Sequence, residues 1–147
     1  MLQIGSILGG YTIGREIGRG AMGVVYECEK EGARFALKIL HTHLTKPELV
    51  KRFLQEVKAL KKLSEDKGNP HIISYFDGGE ENGTLFVVME LLEGVSLAQR
   101  LSGKTSSPKS AIRLIRDVAD GVRHAHKQGI IHRDLKPDNI FLQRGVE

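Results

Sequence analysis

The chain has 147 residues, 40% of them hydrophobic and 27% charged, with a formal net charge of +4. This composition is typical of one ordinary globular domain or two small lobes and excludes a mostly disordered chain. The single cysteine, Cys28, excludes an intramolecular disulfide framework and a multi-cysteine zinc site. With no signal-peptide pattern and no long apolar run, we expect a cytoplasmic protein without a membrane segment. Lysine and arginine are scattered rather than clustered, which argues against a nucleic-acid partner.

Short alternating apolar segments predict antiparallel strands over residues 11–17, 24–28 and 35–39, the last two joined by a tight turn at Glu31-Gly32. A helix follows, and Thr45 with Glu48 three residues later forms a capping box at its start. Two more strands are expected over residues 72–77 and 84–89. Asn82-Gly83 between them is a strong hairpin signal, because both residue types accept positive φ.

The chain beyond Gly94 is predicted to be mainly helical, with a short helix at 96–101 and a longer one over about 108–127. Gly129 ends the longer helix. Residues 130–146 are expected to form a strand, a polar loop and another strand. One face of the longer helix is apolar, with Ala111, Ile115, Val118, Val122 and Ala125.

A glycine-rich string, Gly-Arg-Gly-Ala-Met-Gly-Val-Val at residues 18–25, lies between two predicted strands. Glycine lets the backbone approach a ligand closely, and successive N–H groups can surround phosphate oxygens. A dinucleotide-binding motif would require a helix after the glycines, whereas a strand follows here. A flexible hairpin without a ligand is the alternative.

Lys38 stands in an otherwise apolar predicted strand, where its charge needs solvent or a partner. On a helical wheel of about 100° per residue, Glu56 falls within about 20° of Leu49 and Leu63, inside the apolar arc of the next helix. A carboxylate there is costly unless paired, so we expect Glu56 to pair with Lys38 and hold it at a ligand phosphate. The alternative is a surface pair with Arg52, one turn back.

A third motif, Ile-His-Arg-Asp-Leu-Lys-Pro-Asp-Asn-Ile, occupies residues 131–140. Asp134 could accept a proton from an attacking hydroxyl, and Lys136 could neutralise charge on a transferring phosphoryl group. The amide oxygen of Asn139 could ligate Mg²⁺. With the two upstream motifs, this string predicts phosphoryl transfer.

Together the three motifs resemble the first part of a eukaryotic-type (Hanks-type) serine/threonine protein kinase of the bacterial kind. The resemblance implies an α+β, protein-kinase-like fold: a five-stranded antiparallel N-lobe with helix C, then a truncated, mainly helical C-lobe. The kinase domain would span 11–147, with the N-lobe and hinge at about 11–93 and the start of the C-lobe at 94–147. The implied reaction transfers the γ-phosphate of ATP to a serine or threonine hydroxyl of a protein substrate, with Mg²⁺.

The resemblance also assigns roles to single residues. Lys38 contacts the α- and β-phosphates with Glu56 as its helix-C partner, Asp134 is the catalytic base, and Lys136 is a further catalytic residue. Asn139 is the metal ligand, and His126 matches a packed structural histidine of similar kinases. Val25 and Ala36 would sandwich adenine, Glu90 and Leu92 would offer it backbone hydrogen bonds, and Met89 would guard the back pocket. The full nucleotide-binding set is Ile17, Gly18, Arg19, Gly20, Ala21, Met22, Gly23, Val25, Ala36, Lys38, Glu90, Leu92 and Asn139.

The sequence departs from the kinase pattern in one respect: residues 1–147 contain no Asp-Phe-Gly string. We therefore expect a truncated domain, with weak or no activity on its own. A non-catalytic fragment that binds nucleotide or a partner is the alternative. A small-molecule kinase of the aminoglycoside type is disfavoured, because such enzymes typically lack the His-Arg-Asp-Leu-Lys-Pro string at residues 132–137.

Overall fold

The computed structural model describes residues 2–20, 23–41, 45–103 and 105–145. The chain divides into two compact units. The first consists of residues 1–65 and 73–91, and the second of residues 66–72 and 92–147.

An antiparallel sheet dominates the first unit. The five predicted strands are present, but the one expected at residues 72–77 begins later, at Tyr75, and runs to Glu81. A two-residue strand, too short to show an alternating pattern, adds a sixth member at one edge. The strands, in the order β1-β2-β3-β4-β6-β5, are β1 (Ile7–Leu8), β2 (Tyr11–Gly20), β3 (Gly23–Lys30), β4 (Ala33–His41), β5 (Tyr75–Glu81) and β6 (Thr84–Met89).

Two tight hairpins set the register of this sheet. Glu31 and Gly32 have φ values of 53° and 79°, and Asn82 and Gly83 have values of 50° and 73°. Two consecutive positive φ values are what a two-residue type I′ turn requires. Both predicted hairpins are therefore confirmed.

The two faces of the sheet carry separate cores. The larger core lies on one face, which the sheet encloses because it curls until β2 reaches β5. At that point Tyr11 Oη donates a hydrogen bond to Asp77 Oδ2 at 3.0 Å. Burial and this bond raise the pKa of Tyr11 to about 12. The other face packs against helix α1 (Pro47–Leu63). Residues of the enclosed core are Leu8, Tyr11, Ile13, Tyr26, Cys28, Leu37, Ile39, Phe86 and Val88; those of the helix-facing core are Leu40, Phe53, Leu85 and Val87.

The predicted capping box at the start of α1 is wrong. Lys46 is the N-cap residue, and its side chain makes no capping hydrogen bond. Pro47 explains the shift, because the residue before a proline is pushed to extended geometry, and Lys46 has φ −60° and ψ 140°. The Thr45 hydroxyl instead donates to the His41 carbonyl oxygen at 2.7 Å.

The second unit contains helices α2 (Leu97–Leu101) and α3 (Pro108–Lys127) and a small sheet of β7 (Gly94–Ser96) with β8 (Phe141–Gln143). Gly129, with φ 74°, ends α3 as predicted: its N–H donates to His126 O, and the Ile130 N–H donates to Ala125 O. The strand expected just after residue 130 does not form. Arg133 has φ 64°, which breaks an extended run, and a 3₁₀ turn follows at Pro137–Asn139.

The predicted apolar face of α3 is half-buried or buried at Ala111, Val118, Val122 and Ala125, and differs from the prediction only at Ile115. The buried residues of the helix are Gly121 and Ala125, whereas Ile115, expected in the apolar face, is 65% exposed. A Cβ at Gly121 would lie 3.2 Å from the His71 carbonyl oxygen, so glycine allows the segment 66–72 to pack closely on the helix. His126 is exposed, contrary to expectation.

Candidate functional site

Three predicted site residues, Val25, Ala36 and Lys38, share one face of the first unit's sheet. Lys38 on β4 lies opposite Val25 on β3 and, on its other side, opposite Val87 on β6. Ala36 lies two residues before Lys38, and side chains two apart on a strand point to the same face. Ala36 is small and only 5% exposed, so most of its surface is covered by neighbouring residues.

Lys38 reaches from this face to helix α1. Its Nζ lies 2.7 Å from Glu56 Oε1 and 5.8 Å from the centre of the Phe53 ring. The predicted pair is therefore present, and Glu56 does not pair with Arg52. The Glu56 side chain is 45% exposed, however, against 16% for Lys38, so the expectation that Glu56 lies on a buried stripe is wrong. A pair this exposed adds at most about 1 kcal/mol to stability, which points to positioning of the lysine as its role.

The glycine-rich string is largely strand rather than loop. β2 continues to Gly20 and β3 starts at Gly23; Ala21 and Met22 lie outside the described residues. Gly23 has φ 126°, and a Cβ there would overlap the Ile39 carbonyl oxygen, so this position requires glycine. At Gly20 a Cβ would meet nothing within 4 Å. The bare Gly20 surface is open to close approach by a ligand.

The strand leading to these glycines is irregular. Register shifts on either side of Glu16 place Ile17, which is 38% exposed, next to a bulge before Gly18. Arg19 donates hydrogen bonds to both Glu16 carboxylate oxygens, at 3.0 and 2.7 Å. The Arg19 guanidinium holds the pKa of Glu16 below its usual value. Because its side chain is engaged, Arg19 would contact a ligand through its backbone.

The segment after β6 carries the predicted adenine contacts. The Glu90 N–H donates to Ser74 O at 2.9 Å, and the Glu90 carboxylate accepts from Ser74 N at 3.3 Å. The Glu90 carbonyl oxygen has no hydrogen bond within the described part of the chain, which leaves it available to a ligand. Met89 packs against the helix-facing core, and Leu92 begins the second unit. The role of Ser74 was not foreseen, since nothing in its local sequence marks it.

In the second unit, the side chains of Asp134, Lys136 and Asn139 lie close together. Asn139 Nδ2 donates to the Asp134 carbonyl oxygen at 2.8 Å and to its carboxylate Oδ2 at 3.2 Å. Lys136 Nζ lies 3.4 Å from the same Oδ2, and the Asp134 N–H donates to His132 Nδ1 at 3.2 Å. The 3₁₀ turn at Pro137–Asn139 bends the chain back, so that the Asn139 side-chain amide reaches Asp134.

This arrangement partly fits a magnesium ion. The Asn139 amide nitrogen is used by Asp134, which leaves the Asn139 amide oxygen, and amide and carboxylate oxygens are the hard ligands that Mg²⁺ prefers. No group of three or more histidine, cysteine or acidic side chains able to hold a metal occurs among the residues described here. Asn139 would therefore contribute one ligand of a set that needs others.

Comparison with known proteins identifies the family to which the chain belongs. The family model described as the protein kinase domain matches residues 11–146. The chain belongs to the protein kinase family. Its sequence is 38% identical over 143 residues to a probable serine/threonine-protein kinase, pknA2, of Bifidobacterium longum, covering 92% of this chain and 18% of that protein. It is 40% identical over 144 residues to the serine/threonine-protein kinase Pkn1 of Myxococcus xanthus, covering 96% and 20%.

A solved structure shows the same fold. The crystal structure of the Mycobacterium tuberculosis PknI kinase domain matches with a TM-score of 0.80 and 30% identity, over 97% of this chain and 58% of that one. The kinase chain described here is therefore similar to the N-terminal part of a bacterial Hanks-type serine/threonine kinase domain. It spans about a fifth of the length of the two curated relatives. None of the helices in the described ranges is long and apolar enough to cross a membrane.

Proposed function

We propose that this chain binds ATP through its first unit and supplies the catalytic loop for transfer of the γ-phosphate to a serine or threonine hydroxyl of a protein. The observation that carries the proposal is the Lys38–Glu56 ion pair, 2.7 Å long, on the sheet face shared with Val25 and Ala36. Residues 11–93 would be the N-lobe and hinge of a kinase domain and residues 94–147 the start of its C-lobe. Dependence on ATP favours the cytoplasm as its location.

Nucleotide binding follows from the chemistry of the first unit. The Lys38 ammonium, held by Glu56, would neutralise the α- and β-phosphates. The backbone at Gly18, Gly20 and Gly23 would approach the phosphate oxygens closely. Val25 and Ala36 offer apolar surface for adenine, and the Glu90 carbonyl oxygen offers it a hydrogen bond.

Phosphoryl transfer follows from the chemistry of the second unit. Asp134 would accept the proton of the attacking hydroxyl as the new oxygen–phosphorus bond forms and the bond from the γ-phosphorus to ADP breaks. Lys136 would neutralise charge on the phosphoryl group. Asn139 would orient Asp134 through its two hydrogen bonds and offer its amide oxygen to Mg²⁺. The ion would supply neutralisation of phosphate charge.

The test is the ATP affinity of the chain and of its Lys38→Ala and Glu56→Ala variants, measured by calorimetry with Mg-ATP. We expect both variants to weaken binding by roughly tenfold or more, since each loses a hydrogen bond to a charged group. Arg52→Gln is the matched control, because Arg52 is exposed on the same helix and does not pair with Glu56. Equal affinity in all four proteins would contradict the proposal.

A non-catalytic role would give a different result in a transfer assay. If a longer protein that includes residues 1–147 binds ATP through Lys38 but labels no protein substrate, nucleotide or partner binding is its function. Labelling that depends on Asp134 supports catalysis.

A further inference from the structure

A hydroxyl-rich segment leads from α2 to α3. Ser102, Thr105 and Ser106 are exposed there and lie outside helix and strand. Their hydroxyls form no hydrogen bond within the described ranges. Hydroxyls elsewhere in the chain are often engaged: Ser64 Oγ, for example, donates to the Leu60 carbonyl oxygen at 3.0 Å. These three are therefore chemically available.

A cavity of about 580 Å³ opens beside this segment. Thr105 and Ser106 line it together with Arg100 and several other polar residues, and no carboxylate is among the lining side chains. The Arg100 guanidinium has no ion pair or hydrogen bond to any residue that the structure describes. A free guanidinium beside hydroxyls, without a competing carboxylate, suits a phosphate group, to which it can donate two parallel hydrogen bonds.

We propose that Thr105 and Ser106 are phosphorylation sites and that Arg100 binds the phosphate they receive. The inference rests on the proposed kinase function, which supplies the reaction. The acceptor hydroxyl oxygen bonds to the γ-phosphorus of ATP, the bond from that phosphorus to ADP breaks, and the hydroxyl proton passes to Asp134 of the kinase copy that performs the transfer. Phosphorylation adds a charge of about −2, which would pair with the Arg100 guanidinium.

The two serines that follow are not acceptors in this proposal, because their hydroxyls are already used. Ser107 Oγ accepts from the Ser110 N–H at 3.2 Å and lies 2.9 Å from Ser110 Oγ. Ser107 is also the N-cap of α3. Modifying it would remove the side-chain cap at the start of α3.

The phosphate site can be tested without any kinase reaction. The chain is made with a phosphate installed on Ser106, or on Thr105, during synthesis, and the phosphate is titrated by ³¹P NMR. We expect its midpoint about half a pH unit below that of a phosphorylated peptide of residues 102–110, because Arg100 favours the dianion. Arg100→Gln should return the midpoint to the peptide value, while Arg116→Gln, which removes a charge bound to Asp117, should not. Titration equal to the peptide at both sites would overturn the proposal.

Transfer to the segment is tested separately, on the intact protein that contains these residues. It is incubated with Mg-ATP and a generic serine/threonine peptide, and phosphorylated residues are mapped by mass spectrometry, with Thr105→Val/Ser106→Ala as the control. Phosphate on Thr105 or Ser106 supports the inference. A labelled peptide with both residues unmodified overturns the inference but leaves the proposed function intact. If neither the peptide nor these two residues are labelled, the result contradicts both the proposed function and the proposed self-phosphorylation.

Discussion

At the scale of single residues, the ammonium group of Lys38 is held in position by contacts from separate elements. β4 presents it opposite Val25 and Val87, and α1 supplies Glu56 at 2.7 Å and the Phe53 ring at 5.8 Å. A lysine side chain loses considerable rotamer freedom when it is held this way. The contacts compensate for that loss and leave the ammonium in one place, where a phosphate can use it without further ordering.

Asp134 should act on the chemical step rather than on ATP binding. In an active protein that includes residues 1–147, we expect Asp134→Asn to lower kcat by about a hundredfold or more while KM for ATP changes little, because only the transition state needs the base. Steady-state kinetics on a peptide substrate would measure both constants. Asp138→Asn, which changes a nearby exposed carboxylate in the same way, is the control. A mutant with weaker ATP affinity and an unchanged kcat would show that Asp134 has another role.

Two glycines of the same hairpin should differ in their tolerance of a side chain. Gly23→Ala places a methyl group against the Ile39 carbonyl oxygen at φ 126°, so we expect unfolding in denaturant to show a loss of about 1–3 kcal/mol. Gly20→Ala meets nothing within 4 Å and should change stability by about 0.5 kcal/mol or less. Equal losses in the two variants would mean that Gly23 does not lie against the Ile39 carbonyl oxygen in this way.

At the scale of elements, α1 begins with an unfavourable N-cap. Lys46 makes no capping hydrogen bond and adds a positive charge where the helix dipole is already positive. Lys46→Asp should therefore raise the free energy of unfolding by about 1 kcal/mol in urea or guanidinium titrations. Lys58→Asp makes the same charge change beyond the first turn and should not stabilise. A Lys46→Asp variant no more stable than the starting chain would refute this account of the helix start.

How far sequence predicts each element depends on whether its determinants are local. The turns at Glu31-Gly32 and Asn82-Gly83 could be predicted, since two adjacent residues set them. The start of α1 could not, because the effect of Pro47 on Lys46 outweighed the side chain of Thr45. Strands β1 and β8, of two and three residues, exist only through their partners. The exposure of Ile115 depends on what packs against α3, which its helical spacing does not reveal.

The same distinction between local and distant determinants applies to the candidate site. The Lys38–Glu56 pair was predicted correctly, although Glu56 is 45% exposed and does not lie on the buried stripe from which the pair was inferred. Asp134, Lys136 and Asn139 could be grouped because they are close in sequence, but the hydrogen bonds from Asn139 to Asp134 depend on the 3₁₀ turn. Ser74, which takes up the Glu90 N–H, lies 16 residues away along the chain and was not predictable.

At the scale of the whole molecule, each unit carries one half of the chemistry. The first holds the lysine that would contact nucleotide phosphates, and the second holds the carboxylate, lysine and amide that would act on the transferring group. The metal site is less complete than either of these two groups of residues. Asn139 offers a single amide oxygen, whereas magnesium requires several hard oxygen ligands held in near-octahedral geometry.

A polypeptide limited to residues 1–147 should therefore bind ATP weakly and transfer little phosphate. Transfer depends mainly on positioning and on neutralisation of the phosphates by metal, and no Asp-Phe-Gly aspartate is present in these residues to help hold it. The measurement is incorporation of radiolabelled phosphate into a generic protein substrate with Mg²⁺ or Mn²⁺, using Asp134→Asn as the blank. We expect incorporation close to that blank. Robust, Asp134-dependent transfer would show that another oxygen donor within these 147 residues completes the metal site.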